Sequence, residues 1–354
     1  MTLRAATLVL ALAACLAAQA KLSVNQLIQF LQSSVQLKHD DKKVAAYVRK
    51  LSLKDRLDDR TIEDLQGIGI GPKTVEALQA LRDTSKALPP PSIDLPKPKP
   101  PALPPPPPEE IAKALAGAKE FALNYTKQLP NFICTQVTRR FGDPTGMEFW
   151  QKMDVITAKL TFFEQKEDYK VVLVNSQPVD TNIHDVGGAT SAGEFGTMVK
   201  EIFEPQSDAK FEWVRWTTLR GRRNHVFGFR VAQDKSKRSV TYEKSLTIVS
   251  GYHGLVFVDA ESYNVNRVRV EQDLPPSFPV QQASVEMDYD MVDLGGGNTF
   301  LLPLKHTMRM RMAKTLVKNE AEFRMYRKFG ADASITFETP EPLAEDKTSE
   351  QPAK

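Results

Sequence analysis

Hydrophobic residues in the first part of the chain recur with the period of a helix. Between residues 24 and 85 they return every three or four positions. Examples are Leu27, Leu31, Val35, Val44 and Val48. This spacing places apolar side chains on one face of each helix. It predicts a small all-α domain of three or four short helices over residues 21–87.

The pattern changes at Phe132 to an alternation of hydrophobic and polar residues. A period of two is typical of strands that bury one face. About eleven such segments follow, separated by short turns. They are residues 154–164, 169–174, 211–218, 225–232, 238–249, 254–259, 265–271, 283–292, 299–312, 315–328 and 333–338. Because the connections are short, we expect one large antiparallel sheet.

Two segments with a helical period accompany the predicted sheet. Residues 109–128 carry an apolar stripe and begin with two glutamates, which suit the positive end of a helix dipole. Ser191 and Glu194 have the spacing of a capping box at the start of a second helix. Both helices need a surface that covers their apolar faces. The sequence therefore predicts an α+β fold over residues 109–340, a curved half-barrel sheet covered by two helices, and a disordered tail over residues 341–354.

A proline-rich segment separates the two predicted domains. Twelve of the 24 prolines lie between Pro89 and Pro108. Proline lacks a backbone N–H and has a fixed φ, so we expect residues 88–108 to form an extended polyproline linker. The Pro-x-x-Pro spacing leaves open a second role, which is docking to a partner.

The first twenty residues have the pattern of an export signal. Arg4 precedes an apolar run that ends at Ala18, and residues 18–20 have the Ala-x-Ala form. This pattern predicts a secretory signal peptide with cleavage before Lys21, and hence a periplasmic or extracellular protein. The alternative uses Cys15, because the sequence Leu-Ala-Ala-Cys that it ends resembles a bacterial lipobox. Lipidation of Cys15 would anchor the protein to a membrane, as in an outer-membrane lipoprotein.

Composition narrows the chemistry that the chain can perform. The 354 residues have a net charge of +3 and include two cysteines, which excludes a disulfide scaffold and a cysteine-based zinc module. No metalloprotease, serine-hydrolase or P-loop motif is present in the sequence. Asp288, Asp290 and Asp293 have the chemistry of calcium ligands, but alternating acids are more typical of the solvent face of a strand. The sequence predicts no catalytic residue, no cofactor and no metal site.

A two-strand pattern lies in the middle of the predicted sheet. Residues 252–261 read Tyr-His-Gly-Leu-Val-Phe-Val-Asp-Ala-Glu, and residues 265–270 read Val-Asn-Arg-Val-Arg-Val. With the order of helices and strands over residues 110–338, this pattern resembles the periplasmic lipoprotein-carrier family and its relatives in outer-membrane lipoprotein sorting and sigma-factor regulation. The resemblance implies a sheet and helices that enclose an apolar cavity for acyl chains. The whole chain is also similar to exported proteins of acidobacteria, which implies a compartment but no activity.

The implied cavity has candidate lining residues on one helix and one strand. Met308, Met310 and Met312 alternate with arginines, so the three thioethers share one face of a strand. Methionine is flexible and polarisable, which suits ligands of variable shape. The alternative is that these side chains fill an ordinary core. The candidate residues are Phe195, Met198, Ile202, Met308, Met310 and Met312.

The helical domain contains a second candidate site. Residues 69–78, Gly-Ile-Gly-Pro-Lys-Thr-Val-Glu-Ala-Leu, resemble the hairpin and second helix of a helix-hairpin-helix motif. The resemblance implies contact between residues 65–78 and a DNA phosphate. The implied contacts are Gly69, Gly71, Lys73 and Thr74. Residues 21–85 carry 11 Lys and Arg against 9 Asp and Glu, a small positive charge for DNA binding. The alternative is a hairpin that only turns the chain.

These features together predict an exported, non-catalytic binding protein of the cell envelope. The expected ligand is a lipid or a lipidated protein, held between the sheet and its helices. Two alternatives remain, which are nucleic-acid binding through the helix-hairpin-helix-like element and a structural interaction role in the envelope.

Overall fold

The chain divides into two compact units, residues 1–97 and 98–354. The computed structural model describes residues 21–36, 38–91, 103–146, 148, 150–182, 187, 196–243, 245–295, 297–329 and 342–353. Several predicted features lie outside these residues. They are the signal peptide with Cys15, the capping box at Ser191, the candidate ligand residue Phe195, the strand at 333–338 and the middle of the proline linker.

The described part of the first unit consists of four helices and one short strand pair. They are α1 (Val24–Gln36), α2 (Asp41–Val48), α3 (Asp59–Gly67), α4 (Pro72–Ser85), and the parallel strands β1 (Lys21–Leu22) and β2 (Ser52–Leu53). The sequence supplies the helix starts. Asp40 accepts a hydrogen bond from the Lys43 N–H at 3.1 Å, which caps α2. Asp58 accepts one from the Thr61 N–H at 2.8 Å, which caps α3, and Pro72 opens α4.

The second unit contains two helices and fourteen strands in its described residues. The helices are α5 (Pro108–Gln128) and α6 (Thr197–Phe203). The strands are β3 (Phe132–Asp143), β4 (Gln151–Phe163), β5 (Lys166–Val174), β6 (Gln177–Asn182), β7 (Lys210–Leu219), β8 (Arg222–Val231), β9 (Ser239–Tyr242), β10 (Leu246–Val249), β11 (Gly251–Asp259), β12 (Val265–Asp273), β13 (Val280–Asp293), β14 (Thr299–Met312), β15 (Thr315–Lys328) and β16 (Glu350–Gln351).

Twelve of these strands form one antiparallel sheet. Their order is β16-β7-β8-β11-β12-β13-β14-β15-β3-β4-β5-β6. Strands β9 and β10 pair separately as a hairpin. The sheet has two ends and is not a closed barrel, which confirms the α+β half-barrel predicted from the sequence.

The two faces of the sheet differ in chemistry because side chains alternate along each strand. One face carries Val256, Val268 and Met287, all fully buried beneath the helices. We call it the helix face. The other carries Arg267 and Asp288, each 1% exposed, and we call it the opposite face.

Helix α5 packs closely on the helix face because its buried stripe consists mostly of alanine. Ala114, Ala118 and Ala122 recur every fourth residue and are 0–2% exposed. One turn further along, the Tyr125 hydroxyl donates to the carbonyl of Leu301 at 2.8 Å. Small side chains therefore bring the helix near the sheet, and one buried hydrogen bond fixes its position.

Segment 238–249 differs from the single strand predicted for it. It forms the β9–β10 hairpin, in which Val240 lies opposite Ile248. The chain reverses where the Ser245 N–H donates to the Tyr242 carbonyl at 3.2 Å. Glu243 has φ 47°, a left-handed conformation that ends the strand.

In the described part of the chain, helix α6 begins at Thr197. Gly196, directly before Thr197, has φ 98°, so it cannot belong to a right-handed helix. A Cβ at Gly196 would lie 2.5 Å from Cδ1 of Tyr125. Glycine is therefore required here for both its backbone conformation and its lack of a side chain.

The end of the proline linker belongs to the second unit. The Trp216 indole N–H donates to the carbonyl of Pro104 at 3.0 Å, and Pro106 is buried. Pro107 has φ −62° and ψ 153°, the polyproline conformation. Proline has no N–H to offer a neighbouring strand, so it suits a position beside the edge strand β7.

Residues 342–353 differ from the disordered tail predicted for the end of the chain. They include a 3-10 turn at Glu345–Lys347 and strand β16. Strand β16 pairs with β7, with Glu350 opposite Leu219. The order comes from polar contacts with the sheet, which a pattern of hydrophobic residues does not reveal.

Candidate functional site

The space between the helices and the helix face is filled by one apolar cluster, the helix-face core. It draws side chains from both helices and from most strands of the sheet. Its fully buried members include Ala118, Phe132, Leu160, Ile202, Val256, Val268, Met287 and Leu302. Burial of this surface is the main stabilising contribution in the second unit.

Helix α6 covers one end of this core. Met198, Val199, Ile202 and Phe203 are 0–4% exposed. The Phe203 ring stacks on Phe211 of β7, with centroids 5.0 Å apart. Because α6 has only seven residues, these contacts, and not helical hydrogen bonds, hold it in place.

The structure divides the predicted cavity residues between three places. Met198 and Ile202 lie in the helix-face core. Met308 is 5% exposed and pairs with Val285 of β13. Met310 and Met312 pack in a separate cluster. That cluster contains Val240, Phe278, Val280 and Ala283, with Tyr242 and Ile248 of the hairpin.

Two ion pairs hold the polar edge of α6, and we call these four residues the latch. Arg238 Nη1 donates to Glu201 Oε2 at 3.2 Å. Lys237 Nζ forms an ion pair with Glu204 at 2.5 Å. Burial raises the pKa of Glu201, and the charge of Arg238 opposes that rise. The latch joins α6 to the segment that leads into the β9–β10 hairpin.

Two buried ionisable side chains lie beside Arg238 beneath the latch. The Arg238 guanidinium lies 5.7 Å from the ring centroid of Tyr252. Burial raises the pKa of Tyr252 to about 12. Burial also lowers the pKa of His306 to about 4, and the positive charge of Arg238 adds to that effect. Both side chains are therefore neutral at pH 7.

The sequence did not identify the latch as a site. Glu201 and Arg238 are separated by 37 positions, and neither belongs to a recognisable motif. The only local sign was Arg238 beside the first apolar residues of a predicted strand. Pairing over such a distance is visible only once the fold is known.

The helix-hairpin-helix-like element already holds an anionic group from within the chain. Asp41 of α2 accepts hydrogen bonds from the N–H groups of Lys73 and Thr74, both at 2.9 Å. The Thr74 hydroxyl donates to the same carboxylate at 2.6 Å. A Cβ on Gly71 would lie 2.2 Å from Cγ of Asp41, and Gly69 has φ 100°. Gly71 leaves space for the Asp41 carboxylate, and Gly69 adopts a left-handed conformation that turns the chain.

This arrangement argues against the DNA contact implied for residues 65–78. The amides of Lys73 and Thr74 are the donors expected to hold a phosphate, and Asp41 accepts from both. Its negative charge repels a second anion at the same place. Asp41 also lines an adjacent cavity of about 310 Å³. The element therefore caps α4 from another helix, and nucleic-acid binding is not supported.

Asp41→Asn is expected to destabilise α4 by about 1–2 kcal/mol, because it removes a charged cap. Burial raises the pKa of Asp41, but hydrogen bonds from Thr74 and Lys73 lower it further, so the net pKa lies below its ordinary value. The stabilisation is therefore present above about pH 4 and is lost as pH falls through the lowered pKa. Hydrogen exchange of residues 72–85 measures the effect.

The matched control for this prediction is Asp64→Asn. Asp64 is an exposed residue of α3, so the same chemical change is expected to leave exchange in α4 unaltered. Equal protection of α4 in the D41N and wild-type chains at pH 7 would contradict the prediction. A difference between them that persists unchanged at pH 3 would contradict the pH dependence.

The acids of β13 are not simply a solvent-facing row, which corrects the sequence interpretation of Asp288. Its carboxylate accepts two hydrogen bonds from Arg267, both at 2.8 Å. Arg220 donates to it at 3.0 Å. Asp293 accepts from the Gly295 N–H at 2.7 Å and shapes the following turn. No group of three or more His, Cys, Asp and Glu in the described ranges is placed to hold a metal ion.

The glycine-aspartate pattern of residues 252–270 has a structural explanation. Asp259 Oδ1 accepts from the N–H groups of Glu261 and Ser262 at 3.0 and 2.9 Å, which fixes the β11–β12 turn. Asn266 donates to Asp259 at 3.3 Å from the next strand. Gly254 allows the backbone of β12 to approach closely, because a Cβ there would lie 1.8 Å from the carbonyl oxygen of Arg269. The pattern therefore encodes a tightly built hairpin.

Solved structures similar to this chain include a LolA superfamily protein from Nitrosomonas europaea, with 10% identity and a TM-score of 0.31, covering 62% of this chain and 94% of that one. A domain described as outer-membrane lipoprotein-sorting, from Vibrio parahaemolyticus, has 13% identity and a TM-score of 0.30, covering 61% and 92%. A DUF1329 family protein from Desulfovibrio piger has 9% identity and a TM-score of 0.28, covering 64% and 95%.

The first two neighbours bear names from the family that the sequence pattern of the C-terminal unit resembles. At these TM-scores the likeness extends to neither ligand nor partner. No protein-family model and no curated protein matches the chain. Within the described ranges, none of the helices is long and apolar enough to cross a bilayer.

Proposed function

We propose that this chain is an exported, non-catalytic binding protein of the cell envelope that holds a lipid or a lipidated protein between the sheet and its two helices. The observation that carries the proposal is the packing of α6. This short helix buries four apolar side chains in the helix-face core, yet its polar edge is held by the two ion pairs of the latch. Its apolar face occupies space that an acyl chain fills equally well.

The free energy gained by burying the apolar side chains of α6 is comparable with the free energy gained by burying an acyl chain in their place. Full burial of an apolar side chain contributes roughly 1.5–3 kcal/mol, so the four side chains of α6 contribute about 6–12 kcal/mol. An acyl chain of about 14 methylenes gains roughly 11 kcal/mol at about 0.8 kcal/mol per CH₂. Exchange of α6 for an acyl chain is therefore close to balanced. A change of a few kcal/mol in the free energy of the latch ion pairs then determines whether α6 or an acyl chain occupies the core.

Gly196 is suited to act as the hinge of this exchange. It precedes α6 directly, and its φ of 98° is a conformation that other residues rarely adopt. Movement of α6 about Gly196 opens one end of the helix-face core. Tyr125 keeps α5 on the sheet through its hydrogen bond to Leu301, so only one of the two helices has to move.

Export to the envelope rests on the first twenty residues of the sequence. Arg4 and the apolar run that follows favour secretion with cleavage before Lys21. Lipidation of Cys15 is the second form of the proposal, in which the same binding unit is tethered to a membrane. Mass spectrometry of the protein recovered from an exporting host distinguishes the two, because only the second carries acyl mass on Cys15.

The function is tested with a dansyl-labelled undecanoic acid added to the purified chain after organic extraction of bound lipid. We expect a saturable blue shift of the dansyl emission. In the double variant Glu201→Gln, Arg238→Gln the latch loses one of its two ion pairs. Its association rate is expected to rise about tenfold, because one charge-assisted hydrogen bond no longer holds α6 closed.

The matched control removes an exposed ion pair near the latch. The double variant Asp234→Asn, Lys235→Gln removes a surface ion pair in which Lys235 Nζ lies 3.6 Å from Asp234 Oδ2. We expect no change in the association rate of the fatty acid. The proposal fails if the wild-type and latch-variant chains, both with native circular dichroism, leave the dansyl emission unchanged. It also fails if the control accelerates binding as much as the latch variant.

A further inference from the structure

The opposite face of the sheet is crossed by residues 342–353, which we call the C-terminal segment. Near its start, the Leu343 N–H donates to Glu322 of β15 at 3.0 Å. At its end, Glu350 pairs with Leu219 of β7. The segment therefore runs over the opposite face from β15 to the edge strand β7.

One acidic side chain of the segment is held by several arginines. Arg215 donates to Glu350 Oε2 at 2.8 Å, and Arg269 forms an ion pair with Glu350 Oε1 at 3.0 Å. A third guanidinium, that of Arg267, lies 3.7 Å from the same carboxylate. Charge-assisted contacts of this kind are stronger than neutral hydrogen bonds.

Other contacts are made with the backbone of the segment. Arg220 donates to the Lys347 carbonyl at 3.4 Å, and Arg267 donates to the Thr348 carbonyl. Contacts with carbonyl groups do not depend on the identity of the side chain. This part of the surface therefore contacts the backbone at the end of the 3-10 turn, whatever side chains that turn carries.

Four arginines on the opposite face form what we call the arginine surface. They are Arg215, Arg220, Arg267 and Arg269. Three of their guanidinium groups lie 5.5–5.8 Å from the ring centroid of Phe257. Three sheet acids, Glu286, Asp288 and Asp290, pair with this group. The arginines outnumber these acids, and Glu350 supplies further negative charge.

The segment covers this surface loosely. Strand β16 pairs with two residues of β7, which has ten. Its 3-10 turn, residues 345–347, is exposed, and Leu343 is half-buried. The segment thus stays in place through charge and backbone contacts, with little buried apolar surface.

We propose that the arginine surface and the adjoining edge of β7 form a docking site for an acidic, extended segment of a partner protein, and that the C-terminal segment occupies this site in the free chain. Charge complementarity selects the acidic partner, and the strand pairing of Glu350 and Gln351 with β7 selects an extended form at that edge. Pairing with β7 adds the partner as a further strand of the sheet. This inference is independent of the proposed lipid site, which lies on the helix face.

Tethering explains why the site is filled in the free chain. A segment joined to the same chain competes at an effective concentration that reaches the millimolar range. A free peptide of equal intrinsic affinity is therefore excluded until the tethered copy is weakened. A partner displaces it only by presenting more acidic contacts or a longer strand.

The test uses a fluorescein-labelled peptide of residues 342–353 and the full chain, with binding followed by anisotropy. Glu350→Lys in the chain weakens the tethered copy, and we expect it to bind the peptide about tenfold more tightly than the wild type. Glu345→Lys makes the same charge change at an exposed position of the segment. This control is expected to bind as weakly as the wild type.

Charge reversal on the sheet provides the second arm. Arg269→Glu in a chain that keeps Glu350 weakens the tethered copy by like-charge repulsion, and this chain is expected to bind a peptide that carries E350K but not the wild-type peptide. If E350K prevents folding, Glu350→Gln is used in its place. The proposal is overturned if the folded Glu350 variant binds the peptide no better than the wild type. It is also overturned if the variant binds phosphatidylglycerol vesicles but not the peptide, since the surface would then recognise lipid.

Discussion

Replacing Asp288 by asparagine is expected to lower the free energy of unfolding of the C-terminal unit by about 3–5 kcal/mol. Asp288 accepts two hydrogen bonds from Arg267 at 2.8 Å and one from Arg220 at 3.0 Å. Arg267 is 1% exposed, so water cannot replace the lost carboxylate. Urea unfolding followed by tryptophan fluorescence measures the effect, because all three tryptophans lie in this unit.

Two further variants separate the charge effect from packing. Asp290 lies 3.7 Å from Arg220 and is 38% exposed, so Asp290→Asn is expected to change stability by less than about 0.5 kcal/mol. The double variant Arg267→Met, Asp288→Leu is expected to regain most of the loss, since Arg267 no longer leaves a buried charge without its carboxylate and Arg220 keeps its contact with Asp290. A D288N chain within 1 kcal/mol of the wild type would show that the pair is not desolvated.

Gly254→Ala is expected to destabilise the same unit by about 3 kcal/mol. A Cβ at this position would lie 1.8 Å from the carbonyl oxygen of Arg269 on the paired strand β12. Backbone cannot rotate away as a side chain does, so β11 and β12 must separate locally. The midpoint of urea unfolding, again by tryptophan fluorescence, is expected to fall.

Gly228→Ala is the matched control in the neighbouring strand β8. Its Cβ would lie 3.3 Å from Cγ2 of Val214, which is a 44% exposed side chain that can turn aside. We expect a change below about 1 kcal/mol. Similar losses in the two variants would point to the general cost of adding a side chain to a strand, not to the close approach of β12.

The class of the fold was predictable because it depends on local periodicity. Alternation along β12 and β14 places valine and methionine on one face and arginine on the other, and the structure has these strands paired in one sheet. The β9–β10 turn was missed because its residues include none of the glycine, proline or asparagine that usually mark a turn. Its left-handed residue is Glu243.

The sites were less predictable because they depend on pairs of charges far apart in the chain. The hairpin at Gly69 has the sequence of a phosphate-binding loop, but its acceptor is Asp41, more than 30 positions earlier. Asp288 follows the alternation of a solvent-facing acid, and only the position of Arg267 explains its burial. The sequence determines these partners through the fold, but they cannot be recognised in a single sequence before the fold is known.

The position of β3 in the sheet constrains how the chain assembles. Its neighbours are β4, which follows directly, and β15, whose paired residues lie more than 170 positions later. As the chain emerges from a ribosome or an export channel, β3 to β6 are complete while one side of β3 still has no neighbour. Closing so long a loop is slow, and an unpaired strand invites association with other chains. The nascent protein therefore has an aggregation-prone stage that lasts until β15 has emerged. During this stage the unpaired edge of β3 is available for a holding chaperone to bind.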